Sequence, residues 1–502
     1  MKPPATFDSA AMRADYERGY RSVTESLQVD SAASLLDRFL DLEARLDPGM
    51  IEVKTTLMIS SLLTTDEDNA LGAWIFRQHS NLARLGRCIV EMAAYAAGFD
   101  RGRVMRALAV TFLHWGEAVK WELMVGRTQQ RDHALLHGLM RIALDLGEAR
   151  RVEALVVDGI SRRACIEALY FRTLILDRFT SGTLSRQEIE VLDAWLWKWS
   201  AWLVSDPEAE LVWRADLDSD TGLRYGRRRG EGPSLYLPLA PLEAQRQAVV
   251  AQFHRGYLVP ATGRAADMRL EAHVAVLLQL RATFAGSGAR EVRHHVQPRE
   301  IEVWVGLAHV TRVLQTDERL AQQPGAVETQ AVPGADSAAA AKDMFDQVYD
   351  LPRRMLVMRD ASFTGYLLEA PLAQAADLNL HELVALRPEP EQPPLLARIA
   401  RRVYDPEAAT VSIGVHLLCD PALQPQTATL RSAAGVDETY IFVPGADGSG
   451  RRDGFLVTYR ALEPHEPHTV RAGDRSYTLT FNRVRERGRG WALAGFEING
   501  AG

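Results

Sequence analysis

Hydrophobic residues in the first 205 positions recur at intervals of three and four, the spacing that lines one face of an α-helix. Over Ser34–Leu46 this sets Leu35, Phe39, Leu42 and Leu46 on one side, and Pro48-Gly49 is the expected stop. Longer helical patterns follow over 69–97, 103–126, 131–148, 152–180 and 186–204, with breakers or caps at Gly98, Asp100, Gly102, Gly126, Gly147 and Ser181-Gly182. No repeat period is visible, so the pattern predicts a packed helical bundle rather than a solenoid. Residues 206–289 are mixed, with two further helices expected from Pro241 and over 265–284.

Beyond residue 290 the pattern changes to short apolar runs with turn residues between them. Strands are expected at Ile301–Leu307, Met355–Met358, Tyr366–Leu368, Leu378–Leu386, Leu396–Val403 and Val411–Leu418. Four more follow at Glu438–Val443, Gly454–Tyr459, Ser476–Phe481 and Gly490–Ile498. Residues 316–343 carry Pro-Gly and Gly-Ala-Asp breaks and few large apolar groups, and are expected to form an insertion between strands.

Composition narrows the function classes. A chain of 502 residues with 47% hydrophobic and 25% charged positions is long enough for two to four globular domains with real cores. A net charge of −7 argues against sequence-independent binding of long nucleic acids, which needs a dominant basic surface, but leaves room for a small nucleotide held by a local arginine cluster. Cys88, Cys165 and Cys419 are far apart and form no CxxC, so neither a disulfide framework nor a zinc site is expected, and a reducing compartment fits. Asp8 and Asp15 interrupt the segment where an apolar leader would lie, and no apolar run reaches about 18 residues. A cytoplasmic protein without membrane insertion is expected.

The string Asp360-Ala-Ser362-Phe-Thr-Gly365 is the most informative one for function. It joins the run Met355–Met358 to Tyr366–Leu368, and its spacing sets Asp360 and Ser362 on one face of a strand. Gly365 removes a side chain where another group can come close to the backbone. Ahead of the first strand stands Arg290-Glu-Val-Arg293-His294-His295, and the strand Val411–Leu418 follows later. This DxSxxG motif, its arginine-bearing linker and the order of strands resemble the PilZ domain family. That resemblance implies a small β-barrel over 290–424 that binds cyclic di-GMP through Arg290, Arg293, His294, Asp360, Ser362 and Gly365. The family's linker signature is RxxxR. Here it is RxxR, with His294 where the second arginine would stand.

The residue types suit that ligand. Arginine meets guanine O6 and N7 in a bidentate pair, bridges phosphate and stacks on the base. A carboxylate accepts from a guanine edge, and a hydroxyl donates or accepts. The alternative for Asp360 and Ser362 is a turn in which both side chains bond backbone groups; for Arg290, Arg293 and Arg299 it is a solvated basic face.

Other motifs carry less. His133 and His137 share a helix face, but Ala134 stands where a metalloprotease glutamate would be. Trp195, Trp199 and Trp202 form a stripe that suits core packing, or otherwise a partner face. Asp216–Gly222 echoes a calcium loop but has Arg227 at its twelfth position, and Gly445–Gly450 reads as a hairpin loop. No nucleophile–base pair supports an enzyme, and no cofactor or metal is expected. The reading is therefore multidomain α plus β: a helical bundle (1–205), a connecting region (206–289), a PilZ-like β-barrel (290–424, with the 316–343 insertion) and a strand-rich C-terminal region (425–502). The function that the resemblance implies is a cyclic di-GMP receptor acting on an unidentified protein partner, possible processes being type IV pilus function and surface behaviour. The alternative is an interaction scaffold whose barrel no longer binds.

Overall fold

The structure, a computed structural model, describes residues 9–501 except 60–64, 97, 127–131, 158, 180–181, 227–231, 256–264, 266–267, 269, 285–293, 322–351, 363, 376, 390–391, 406–407, 421, 433–434, 446–452, 459–461, 463–466 and 473–474. It divides into two compact units, Met1–Ala289 and Arg290–Gly502.

The first unit is mainly helical: α1 (Ser9–Ser26), α2 (Ala32–Ile59), α3 (Thr65–Ala94), α4 (Arg101–Met124), α5 (His133–Asp145), α6 (Ile166–Asp177) and α7 (Arg186–Lys198). Local sequence sets several of the ends. Asp100 and Asp132 accept from the amides of Arg103 and Leu135 at the starts of α4 and α5, and Ser185 and Glu188 form a reciprocal capping box on α7. After α4 and α5 the chain turns at Gly126 and Gly147, whose φ of 69° and 70° favours glycine.

Helix α2 does not stop at Pro48-Gly49 but runs through them, because Met50, Val53 and Leu57 beyond the break are buried in the same core as Leu35, Leu36 and Phe39. The helix expected over 152–180 is instead a hairpin, β1 (Val152–Val157) with β2 (Ile160–Cys165), followed by α6. Leu155 and Val157 point into the core while Val152 and Val156 stay exposed, so alternation rather than helical period governs that stretch. A sheet in the order β4 (Arg224–Gly226), β3 (Val212–Asp216), β5 (Ser234–Pro238) then leads to the two expected helices, α8 (Leu239–His254) and α9 (Leu270–Phe284).

Helix α4 is buried along nearly its whole length, yet it carries charge. Glu117 pairs with Lys54 of α2 at 2.8 Å and with Arg172 of α6 at 2.8 Å. Arg172 reaches Asp193 of α7 at 2.6 Å, and Lys120 reaches Asp193 at 2.9 Å and Glu190 at 2.8 Å. Three cations thus meet three carboxylates across four helices. Gly116 makes the room: a Cβ there would lie 2.4 Å from Arg172 Nη1. Burial by itself would raise the pKa of Glu117, but Lys120, Lys54 and Arg172 together hold it well below the ordinary value. Asp193 is likewise lowered, burial being outweighed by Arg172 and Lys120. His114, 3.0 Å from His79 between the two Nδ1 atoms, is pushed down to about 3 by burial with Lys54 adding to it, and is neutral at pH 7.

The second unit contains two closed six-stranded barrels. The first is built from β6 (His294–Val305), β7 (Arg354–Ser362), β8 (Gly365–Pro371), β9 (Leu383–Arg387), β10 (Leu395–Asp405) and β11 (Thr410–Leu417). The strand expected over 378–386 starts only at Leu383, because the chain turns at His381 with φ 64°. The segment 316–321, expected to open an insertion, is the end of helix α10 (Leu307–Ala321), whose Val310, Val313 and Leu314 are buried on one face; residues 322–343 lie outside the described residues.

The strand-rich C-terminal region is the second barrel, of β12 (Gln426–Arg431), β13 (Asp437–Val443), β14 (Gly454–Val457), β15 (Pro467–Ala472), β16 (Arg475–Gly488) and β17 (Trp491–Ala501). Both barrels use one connection pattern, antiparallel throughout. In chain order the first strand pairs with the second and fourth, the third with the second and sixth, and the fifth with the fourth and sixth. A shared apolar layer packs them together with α10: Trp304, Val313, Leu383 and Leu396 on one side, Ile441, Leu456 and Trp491 on the other. Strand β9 is buried on both faces as a result. No helix among the described residues is long and apolar enough to cross a membrane.

Removing one member of the buried ion chain leaves its partners charged and desolvated. Glu117→Ala is expected to cost about 3–5 kcal/mol, whereas Arg38→Ala, which breaks a half-exposed pair with Asp30, should cost about 1 kcal/mol or less. Because Glu117 and Asp193 titrate below their ordinary values, their contribution is complete above the ordinary carboxylate range near about pH 4 and is lost as pH falls through their lowered folded-state values. Denaturant unfolding of the full chain from neutral to acid pH checks both.

Candidate functional site

The motif Asp360–Gly365 is the turn between β7 and β8. Along β7, Leu356 and Met358 point into the barrel, and simple alternation would send Asp360 and Ser362 after them. A bulge prevents this. Met358 is opposite Leu368, but Asp360 is opposite Leu367, so Arg359 is the extra residue and everything after it changes face. Arg359 itself holds Glu369 through two bonds of 3.1 and 2.9 Å. Strand β6 also shifts register between His295 and Arg299, where Pro298, which has no amide hydrogen, breaks the ladder.

The register then defines two rows on the outer face. The first runs His295, Asp360, Leu367, Gly414, Arg401, and the second Ser362, Gly365, His416, Arg398, across β6, β7, β8, β11 and β10. Asp360 and Ser362 do share a face. Asp360 is only 4% exposed and its Oδ1 accepts from the Ala361 amide at 2.9 Å; Ser362 Oγ donates to the Gly365 carbonyl at 3.2 Å. Both motif side chains therefore brace the turn that carries them. What comes close to Gly365 is the neighbouring strand: a Cβ there would sit 1.9 Å from the Val415 carbonyl oxygen.

On this face the floor is Gly365, Leu367 and Gly414, edged by Asp360, Ser362, His416, Arg398 and Arg401. Arg398, Arg401, Gly414 and His416 were not among the residues expected from sequence, although the alternation of β11 turns Gly414 and His416 outward. Val411, Ile413, Val415 and Leu417 are buried, so Ser412, Gly414 and His416 face outward. Arg290 and Arg293 lie outside the described residues, as do the side chains of His294 and His295. Arg299 pairs with Glu389 at 2.8 Å, and Tyr366 nearby is raised above its ordinary pKa by burial, with Arg299 acting in the opposite sense.

The second barrel repeats the glycine but not the motif. Gly454 opens its third strand, and a Cβ there would lie 2.9 Å from the Ala494 carbonyl oxygen, the counterpart of Val415. Five and three residues before it stand Ser449 and Arg451, in place of Asp360 and Ser362.

The matched region lies in the first unit. Residues 17–208 match the family model described as the cyclic-di-GMP receptor FimW, N-terminal domain. Comparison with curated proteins and with solved structures returned no match. The matched segment runs from within α1 to just short of β3 and contains the whole buried ion chain.

The remaining sequence motifs of the first unit have structural partners. His133 Nε2 donates to Asp177 at 2.7 Å; His137 Nε2 donates to the Thr221 carbonyl at 3.0 Å, and Tyr170 donates to its Nδ1 at 2.8 Å. Asp220 of the calcium-like loop accepts from the Ala134 amide at 3.0 Å. Trp195 and Trp199 are buried, and Trp202 at the end of the stripe is 38% exposed.

The two barrel glycines yield a graded expectation. Gly365→Ala cannot be accommodated without separating β8 from β11 and should abolish cooperative unfolding of the first barrel. Gly454→Ala, with more room, should lower the melting temperature without doing so, and Gly414→Ala, whose Cβ would meet Arg401 Cβ at 3.1 Å, should be the mildest. Thermal unfolding of the three variants of the full chain measures this order.

Proposed function

We propose that the chain is a PilZ-type receptor that binds cyclic di-GMP on the outer face of its first barrel and relays binding to a protein partner. One observation carries this reading. His294 and His295, the first described residues of β6 and the two that follow Arg290-Glu-Val-Arg293 in sequence, are in register with Ala361 and Asp360 of the DxSxxG turn. The receptor description of the family matched by residues 17–208 supports the same ligand. Guanine edges meet Asp360 and the Ser362 turn, the floor admits a flat base, and arginines of the linker and of β10 meet phosphate and guanine. The cytoplasm is the proposed location, where Cys88, Cys165 and Cys419 remain thiols.

Titration calorimetry of the full chain with cyclic di-GMP should show saturable binding. Arg293→Ala should weaken it about ten- to a hundredfold with little change in melting temperature, since a bidentate charged contact is worth about 1–3 kcal/mol. Asp360→Ala should weaken binding and also lower the melting temperature, because its carboxylate braces the turn through the Ala361 amide. Absence of any heat with the parent chain would leave the scaffold reading in its place.

A further inference from the structure

The row that contains the motif does not end on the first barrel. From Ser362 and Gly365 it passes through His416 to Arg398, and the next strand places Leu383 beside Arg398. Leu383 belongs to the apolar layer between the barrels. Arg398 stands where the row meets that layer, about 10 Å from Gly365, two strand spacings away. Its Nε lies 3.0 Å from Glu486 Oε2 on β16 of the second barrel, and neither atom makes an aligned hydrogen bond. The two facing atoms are buried although the side chains as wholes are 26% and 35% exposed, so the pair is poorly satisfied where it stands.

The same place holds the joint between the barrels. Ile399, next to Arg398, donates its amide to the Glu382 carbonyl, and its own carbonyl accepts from the His381 amide. The His381 carbonyl in turn accepts from the Arg489 amide at 2.9 Å and from Trp491 Nε1 at 3.1 Å, both of the second barrel. One residue thus faces the floor on one side and the inter-barrel joint on the other.

We infer that Arg398 is a shared arginine: a phosphate of the bound dinucleotide and the Glu486 carboxylate compete for its guanidinium, so that occupancy of the first barrel weakens its ion pair to the second. This rests on the proposed site, and it adds a residue and a route that the motif does not contain. A dianion lying over Gly365 and Gly414 brings negative charge to the two arginines of the floor's far edge, and the off-axis bond to Glu486 is the weaker competitor. The second barrel, which has the fold without the motif, is then the element that registers binding.

Calorimetry with cyclic di-GMP on the full chain and three variants tests this, with melting temperatures recorded beside each. Glu486→Gln should tighten binding about fivefold by releasing Arg398, and Arg398→Ala should weaken it about tenfold. In the double variant the gain from Glu486→Gln should vanish, because nothing remains to be released. Equal tightening by Glu486→Gln with and without Arg398 would mean a general charge effect and would overturn the inference. So would parent-like affinity of Arg398→Ala at an unchanged melting temperature, and in both cases the proposed site would stand. Failure of the parent chain itself to bind would remove the site and the inference together.

Discussion

A β-strand sends alternate side chains to opposite faces, so one extra residue reverses everything after it. In the first barrel that residue is Arg359. Without the bulge, Asp360 and Ser362 would follow Leu356 and Met358 into an apolar interior, where a carboxylate and a hydroxyl would lack partners. With it, both reach the outer face beside Gly365 and Gly414, and the strands β8, β11 and β10 extend the surface to His416, Arg401 and Arg398. The ion pair between Arg359 and Glu369 holds the bulged residue in place.

The two units use charge in different ways. In the helical unit Lys54, Glu117, Lys120, Arg172, Asp193 and Glu190 are withdrawn from water and neutralise one another, so the network specifies which helices meet and tolerates no single loss. In the barrels the pairs are partly exposed and individually weak, as with Arg398 and Glu486. A poorly aligned pair such as Arg398 with Glu486 can be exchanged for a ligand; one whose groups are all satisfied cannot.

Much of this was legible in the sequence, for identifiable reasons. The 3.6-residue period, the cap at Asp100 and the glycine stops located most helices, and the turn chemistry of Asp360–Gly365 located the β7–β8 junction. The errors came where tertiary packing overrode local signals. Burial of Met50, Val53 and Leu57 carried α2 through Pro48, and two short strands around Gly159 mimicked a helix because their apolar residues are dense. The bulge at Arg359 has no local signature at all. Arg398 was visible only as part of the expected strand Leu396–Val403, and its place beside the motif depends on strands that are adjacent in space but not in sequence. The second barrel read only as alternating strands because closure is a property of pairing, not of pattern.

The central claim is that cyclic di-GMP lands on the first barrel rather than on the matched helical region. Hydrogen–deuterium exchange of the full chain with and without the dinucleotide tests it most directly. The account predicts new protection in peptides covering the start of β6, the β7–β8 turn and β11, with a smaller change where β16 meets Arg398. Protection confined to residues 17–208, or to the second barrel with the β7–β8 turn unchanged, would contradict it.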